Sequence, residues 1–147
     1  MNIDEYLARK KELETLLKKE GKSAIMDFFG TFMEKNPEIK AIRWMQYTPY
    51  FNDGDACVFG LGDPYYLTRV PTSEELENNP DGEWEPDDES GWLTSYHKSM
   101  KKMAAFEKKF SELEDMFESV FGDHKDICVY KTEKGTIKVQ VMDFEHD

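Results

Sequence analysis

The chain has 147 residues, 39% of them hydrophobic and 14% aromatic, which fits one folded domain with a single core and excludes a disordered chain of the low-hydrophobicity type. Its formal net charge is −12 and its sequence pI is near 4.7, a balance that disfavours direct binding to nucleic acid or an anionic membrane and favours a basic partner or cations. No apolar run approaches the ~20 residues that span a bilayer, and the N-terminus has a charged helical pattern where a signal peptide carries an apolar block, so the expectation is a cytoplasmic protein.

Along the chain, Ile3, Tyr6, Leu7, Leu13, Leu16 and Leu17 form a helical stripe. Asn2 and Glu5 make a capping box at its start, and Gly21 is placed to end the helix in a left-handed conformation. Ser23 caps a second predicted helix with Ile25, Phe28, Phe29, Phe32 and Met33 on one face, stopped by Asn36 and Pro37, so the two helices form a hairpin. From Ile39 the period falls to two and Ile42, Trp44 and Gln46 alternate with Ala41, Arg43, Met45 and Tyr47, which predicts a strand ending at Thr48-Pro49. After the turn residues Asn52-Asp53-Gly54-Asp55, positions 56–61 resume an extended pattern, and 65–70 form a third short strand after Asp63-Pro64.

Between Arg69 and Lys98 there is no basic residue, yet nine carboxylates occur: Glu74, Glu75, Glu77, Asp81, Glu83, Glu85, Asp87, Asp88 and Glu89. Taking those nine from the net charge of −12 leaves −3 for the rest, so the acidity is a local device. Pro71, Pro80, Gly82 and Pro86 and the lack of a sustained apolar period predict a long acidic surface loop over 71–91, with one helical turn at 73–77. From 92 or 94 to 121 a single long helix is expected, because Ser99, Met103, Phe106, Phe110, Leu113, Phe117 and Val120 recur at spacings of four and three before Gly122. Two strands, 125–132 and 136–144, flank Glu133-Lys134-Gly135, whose glycine suits the left-handed position of a bulged hairpin. The order ααβββαββ predicts an α+β fold, an antiparallel sheet of four to five strands with helices packed on one face, and residues 1–147 as a single domain.

Few residues point to chemistry. Cys57 and Cys128 each sit in an apolar, strand-like run without C-x-x-C spacing, which reads as two reduced thiols, with a disulfide across the sheet as the alternative. His97, His124 and His146 fall in no Ser/His/Asp, Cys/His or H-x-x-x-H arrangement, and Gly54, Gly60 and Gly62 fit no phosphate loop. Asn52, Asp53 and Asp55 bring oxygen ligands close together, but their spacing is that of a capped turn and not of an EF-hand. No catalytic residue, metal site or cofactor is therefore expected.

The densest aromatic cluster lies in RWMQYTPYFNDGDACVF. Trp44 and Phe59 read as strand packing, whereas Tyr50 and Phe51 fall in a turn and read as recognition side chains. The string QYTPYFNDGD resembles one found in small uncharacterised proteins of phages and bacteria; the resemblance covers about 17 residues, implies a phage or mobile-element origin and carries no activity. The acidic segment predicts a protein-binding module, an inhibitor or immunity-type protein that docks on a basic surface of a target protein. Glu83, Glu85, Asp87, Asp88 and Glu89 would steer it, with Trp84, Trp92, Tyr50 and Phe51 as anchors, and a nucleic-acid-binding protein is one such target. An alternative is an enzyme or small-ligand binder with a pocket around Arg43, Gln46 and Tyr47. A further alternative is a self-associating accessory protein that pairs through Phe110, Leu113 and Phe117 of the long helix.

Overall fold

The computed structural model of the chain describes residues 1–49, 57–77, 92–93 and 103–143. Asn2 opens the first element: its side-chain oxygen accepts from the Glu5 backbone N–H at 2.8 Å and its amide donates to the Glu5 carboxylate, so the expected capping interaction forms. One helix, α1 (Ile3–Lys35), then runs for 33 residues and stops at Asn36, the residue before Pro37. The hairpin expected at Gly21 does not form, and the two predicted helices are one. Gly21 serves packing instead of a turn, since a Cβ there would lie 3.1 Å from Val120 Cγ2. Helix interiors lose about 1 kcal/mol to a glycine, a cost this close approach offsets.

The alternating run that follows is β1 (Ala41–Tyr47), the centre of the sheet. On one side it pairs antiparallel with β5 (Lys125–Lys131), Ile42 opposite Val129 and Trp44 opposite Ile127. On the other it pairs with β3 (Tyr65–Leu67) and, at its far end, with the two-residue β2 (Gly60–Leu61). β4 (Trp92–Leu93) lies beyond β3, and β6 (Ile137–Asp143) lies beyond β5. The antiparallel sheet predicted from the pattern is thus present, with order β4-β3-β1-β5-β6 and β2 beside β1. In the β5–β6 turn Gly135 takes a φ of 84°, as its position predicted.

Three further helices complete the described chain: α2 (Ser73–Glu77), at the predicted single turn, α3 (Ala104–Glu112) and α4 (Glu114–Phe121). The one long helix expected from Trp92 to Phe121 is corrected in two places. Trp92 and Leu93 are strand, because pairing with Leu67 and Tyr66 competes with helix for these two apolar residues. At Leu113 (φ −93°, ψ 11°) the backbone N–H turns to Phe110 O, a tightened turn that separates α3 from α4.

The period of two gives the sheet two different faces. The first face carries Ile42, Trp44, Tyr66, Leu93, Ile127 and Val129 against Ile25, Phe29 and Met33 of α1 and the aromatics of α3 and α4. Trp44 is fully buried, its ring centre 5.2 Å from those of Phe29, Phe110 and Phe117. Gln46 is the polar member of this face: it accepts from Trp44 Nε1 at 3.0 Å and donates to the carbonyls of Phe117 (3.0 Å) and Gly122 (2.6 Å). These bonds tie β1 to the end of α4, where Gly122 adopts a φ of 92° that favours glycine. The second face carries Ala41, Leu67, Trp92 and Cys128, with Tyr65, Leu76 of α2 and Tyr130 packed against them.

The two glycines of α1 should respond oppositely to substitution. A Cβ at Gly30 meets nothing within 4 Å, so Gly30→Ala is expected to raise stability by about 0.5–1 kcal/mol in urea unfolding. Gly21→Leu, forced against Val120, is expected to lower it by about 1–3 kcal/mol. Equal gains at both positions would contradict the packing role of Gly21.

Candidate functional site

A charged residue in the interior of an apolar strand has to be met by opposite charge or hydrogen bonds, since each bare ion taken from water costs several kcal/mol. β1 and β5 each contain one. Arg43 and Asp126 lie on the second face, and their side chains are 1% and 2% exposed. Arg43 donates to both Asp126 oxygens, Nε to Oδ1 at 2.9 Å and Nη2 to Oδ2 at 3.2 Å, the two-point geometry that suits a guanidinium to a carboxylate. Its third edge is used as well: Nη1 donates to the Glu75 backbone carbonyl of α2 at 2.6 Å. The guanidinium carbon also stands 5.8 Å from the centre of the Trp92 ring, within reach of a cation–π contact.

This one cation therefore touches both ends of the acidic segment. α2 is the entry stem and β4, with Trp92, is the exit stem; the residues between them, 78–91, are outside the described ones. The entry stem has its own lock. Thr72 and Glu75 form a capping box, with the Thr72 N–H donating to the Glu75 carboxylate at 3.0 Å and the Glu75 N–H donating to Thr72 Oγ1 at 3.2 Å. Arg69 closes it from outside, its two terminal nitrogens 2.6 and 2.8 Å from the Glu75 oxygens. The Arg69 hydrogen bonds are the main reason that the Glu75 carboxyl is pulled down to about 2.

Cys128 neighbours this pair in register with Arg43, and burial pushes its thiol up to about 12, which leaves it a packing residue without thiolate chemistry at neutral pH. Cys57 is half-buried, and both cysteines are free. On the opposite face the Tyr66 hydroxyl donates to Glu107 at 3.2 Å; burial, then the Glu107 charge, raises the phenol well above its ordinary range. Thr48 donates twice to Asp123, from N at 2.8 Å and Oγ1 at 2.6 Å, and so ties the end of β1 to the α4–β5 turn. Among the described residues no three His, Cys, Asp or Glu side chains converge as a metal site, and no helix is long and apolar enough to cross a membrane.

The expected site residues are redistributed. Glu83, Trp84, Glu85, Asp87, Asp88, Glu89, Tyr50 and Phe51 lie outside the described residues. Trp92 is 1% exposed and part of the sheet, so it supports the stem and is not an exposed docking side chain. Among the described residues Arg43, Gln46 and Tyr47 do not line one common pocket. Positions 43 and 46 differ by an odd number on one strand and point to opposite faces, and both side chains are buried in bonds of their own. Tyr47 lines a separate small cavity of about 160 Å³ with Pro49, Val58 and Gly62. A larger open cavity of about 620 Å³ lies between α1 and α3, walled by Phe28, Phe32 and Phe106. Phe110 and Phe117, expected to face a second copy, are core residues at 2% and 0% exposure. Asp126, Arg69 and the Glu75 carbonyl were not foreseen. The legible signal is the lone base Arg43 in AIRWMQY and the lone carboxylate Asp126 in KDICVYK, which has lysines only at its two ends.

The described residues define an α+β protein whose two-faced antiparallel sheet holds a buried ion pair at the root of an acidic segment. Comparison with protein families, with curated proteins and with solved structures gave no match.

The Glu75 lock has an acid signature. Its folded-state value of about 2 lies below the ordinary 4.5, so its contribution is complete above pH ~4.5 and is lost as pH falls from ~4.5 toward ~2. Urea unfolding across this window should show a shallower acid decline in Arg69→Gln than in the wild type, with the Glu75 resonance in an NMR titration moving back toward its ordinary range. Identical acid slopes would show that Arg69 does not hold the carboxylate.

Proposed function

We propose that the chain is an acidic protein-binding module, of the stoichiometric-inhibitor or immunity type, that docks on a basic surface of another protein. The observation that carries this reading is the concentration of charge: nine carboxylates without one base between Arg69 and Lys98, on a chain otherwise at −3. Coulombic attraction from such a cluster raises the rate of encounter with a positive surface by 10- to about 1,000-fold at low salt.

The anchoring of both stems supports the same reading. A loop held at its two ends loses less conformational freedom on docking than a free tail of equal length, and so retains more of its contact energy as affinity. Arg43 bonds the Glu75 carbonyl and meets the Trp92 ring, and Asp126 supplies a counter-charge to it from β5. Within the described part of the segment, Glu75 is neutralised by Arg69, while Glu74 is exposed. A partner that normally grips nucleic acid would present the required basic surface, with the carboxylates standing in for phosphates. The resemblance of QYTPYFNDGD to strings in phage and bacterial proteins is compatible with an inhibitor of this kind.

The test is affinity capture followed by mass spectrometry, comparing the wild type with a variant in which Glu85, Asp87, Asp88 and Glu89 are replaced by their amides. The expected result is a basic protein retained by the wild type, lost steeply between about 50 and about 300 mM salt, and retained roughly tenfold less by the variant, with thermal stability nearly unchanged. Equal capture by the two proteins, or no basic protein captured by the wild type, would overturn the reading.

A further inference from the structure

α1 is far longer than the body it serves. Its buried residues are Gly21, Ile25, Phe29 and Met33, and every residue from Met1 to Glu20 is exposed. At 1.5 Å per residue, the helix from Ile3 to Glu20 projects roughly 27 Å. That projection is not polar all round: Ile3, Tyr6, Leu7, Leu13, Leu16 and Leu17 are 50–67% exposed. Six large side chains at that exposure present on the order of 600 Å² of surface, at the upper end of what a monomer leaves in one apolar patch. We infer that this stripe pairs with the same stripe of a second copy, as an antiparallel two-helix interface.

Two features select a second copy as the occupant. The first is charge along the stripe itself: Lys10 and Glu20 are the charged residues in line with Ile3, Tyr6, Leu13 and Leu17 at spacings of three and four. Laid parallel in register, Lys10 would meet Lys10 and Glu20 would meet Glu20 of the second copy. Laid antiparallel, with paired positions adding to 23, each lies level with an apolar residue, Lys10 with Leu13 and Glu20 with Ile3, an arrangement consistent with the two-fold symmetry of an isologous dimer.

The second feature is the apolar seam. In the same register Tyr6 packs on Leu17 of the second copy and Leu7 lies level with its Leu16. Lys10 lays its aliphatic stem on Leu13 of the second copy, the kind of single polar seam position that fixes register. Ile3 comes level with Glu20 at the margin. Position 21, where α1 enters the body, falls opposite position 2 of the second copy, so the paired segment ends where each body begins. Two copies together bring about 1,200 Å² into the interface, the lower edge of the range for specific stable complexes. This surface is separate from Phe110 and Phe117, which are used in the core.

Sedimentation velocity on the full chain from about 1 to 100 μM tests the inference, a range that covers the micromolar affinities usual for interfaces near this size. The expected wild-type species at the upper end has twice the 17.3 kDa chain mass. Leu13→Glu combined with Leu17→Glu is expected to halve that mass, while leaving the near-UV circular dichroism of the aromatic core unchanged. Orientation is read by oxidative cross-linking: Tyr6→Cys mixed with Leu17→Cys should give the linked heterodimer, whereas Tyr6→Cys alone should not link to itself through that position. A wild type that remains monomeric at 100 μM would assign the stripe to a different protein and overturn the inference. A glutamate variant that stays dimeric, or a Tyr6→Cys protein that links to itself at position 6, would overturn it equally.

Discussion

Burying a guanidinium forces everything near it to be polar in the right place. Arg43 is taken out of water in the middle of the central strand, and the structure answers from three directions: Asp126 across the sheet, the Glu75 carbonyl from above and the Trp92 ring from the edge. Each answer is supplied by a different stretch of chain, so this one charge joins β1, β5, α2 and β4. An apolar side chain at position 43 would pack the same strands without specifying where α2 and β4 belong. The ion pair is best understood as a positional device, because replacing buried pairs by apolar groups is often neutral or stabilising.

The two faces of the sheet divide the work. On the first, Trp44 and the phenylalanines of α1, α3 and α4 form the apolar core, with Gln46 tying the end of α4 to β1 through the carbonyls of Phe117 and Gly122. On the second, a thinner apolar layer surrounds the ion pair and carries the stems of the acidic segment. The division places α2, which opens the acidic segment, on the face that holds the buried Arg43, whose carboxylate partner Asp126 comes from β5.

Much of this fold was legible where local and tertiary preferences agree. The strict alternation in β1, the Thr-Glu-Lys-Gly turn before β6 and the Ser73–Glu77 turn behind its Thr72–Glu75 capping box all appear where the pattern places them. The misreadings have specific causes. Gly21 follows an exposed helical stripe and precedes a buried one, so it reads as a helix end; the neighbour that explains it, Val120, is remote in sequence. Trp92 fits the start of an apolar helical run, but its strand partner Leu67 lies across the whole acidic segment. Arg43, Gln46 and Tyr47 were grouped by proximity in the chain although their spacing on a strand divides them between two faces. The carboxylates expected to steer a partner, Glu83, Glu85, Asp87, Asp88 and Glu89, fall outside the described residues.

The central claim is that Arg43 positions the stem of the acidic segment, and amide hydrogen exchange tests it most directly in a variant carrying Arg43→Met and Asp126→Leu, which removes the charges together and leaves no unpaired ion. The amides to follow are Leu76, bonded to Thr72 O, and Val129 in the centre of the sheet. The account predicts that exchange at Leu76 quickens by about tenfold, the equivalent of ~1.4 kcal/mol and of one hydrogen bond to a charged donor, while Val129 keeps its protection. Unchanged exchange at Leu76, or an equal loss at both amides, would contradict it.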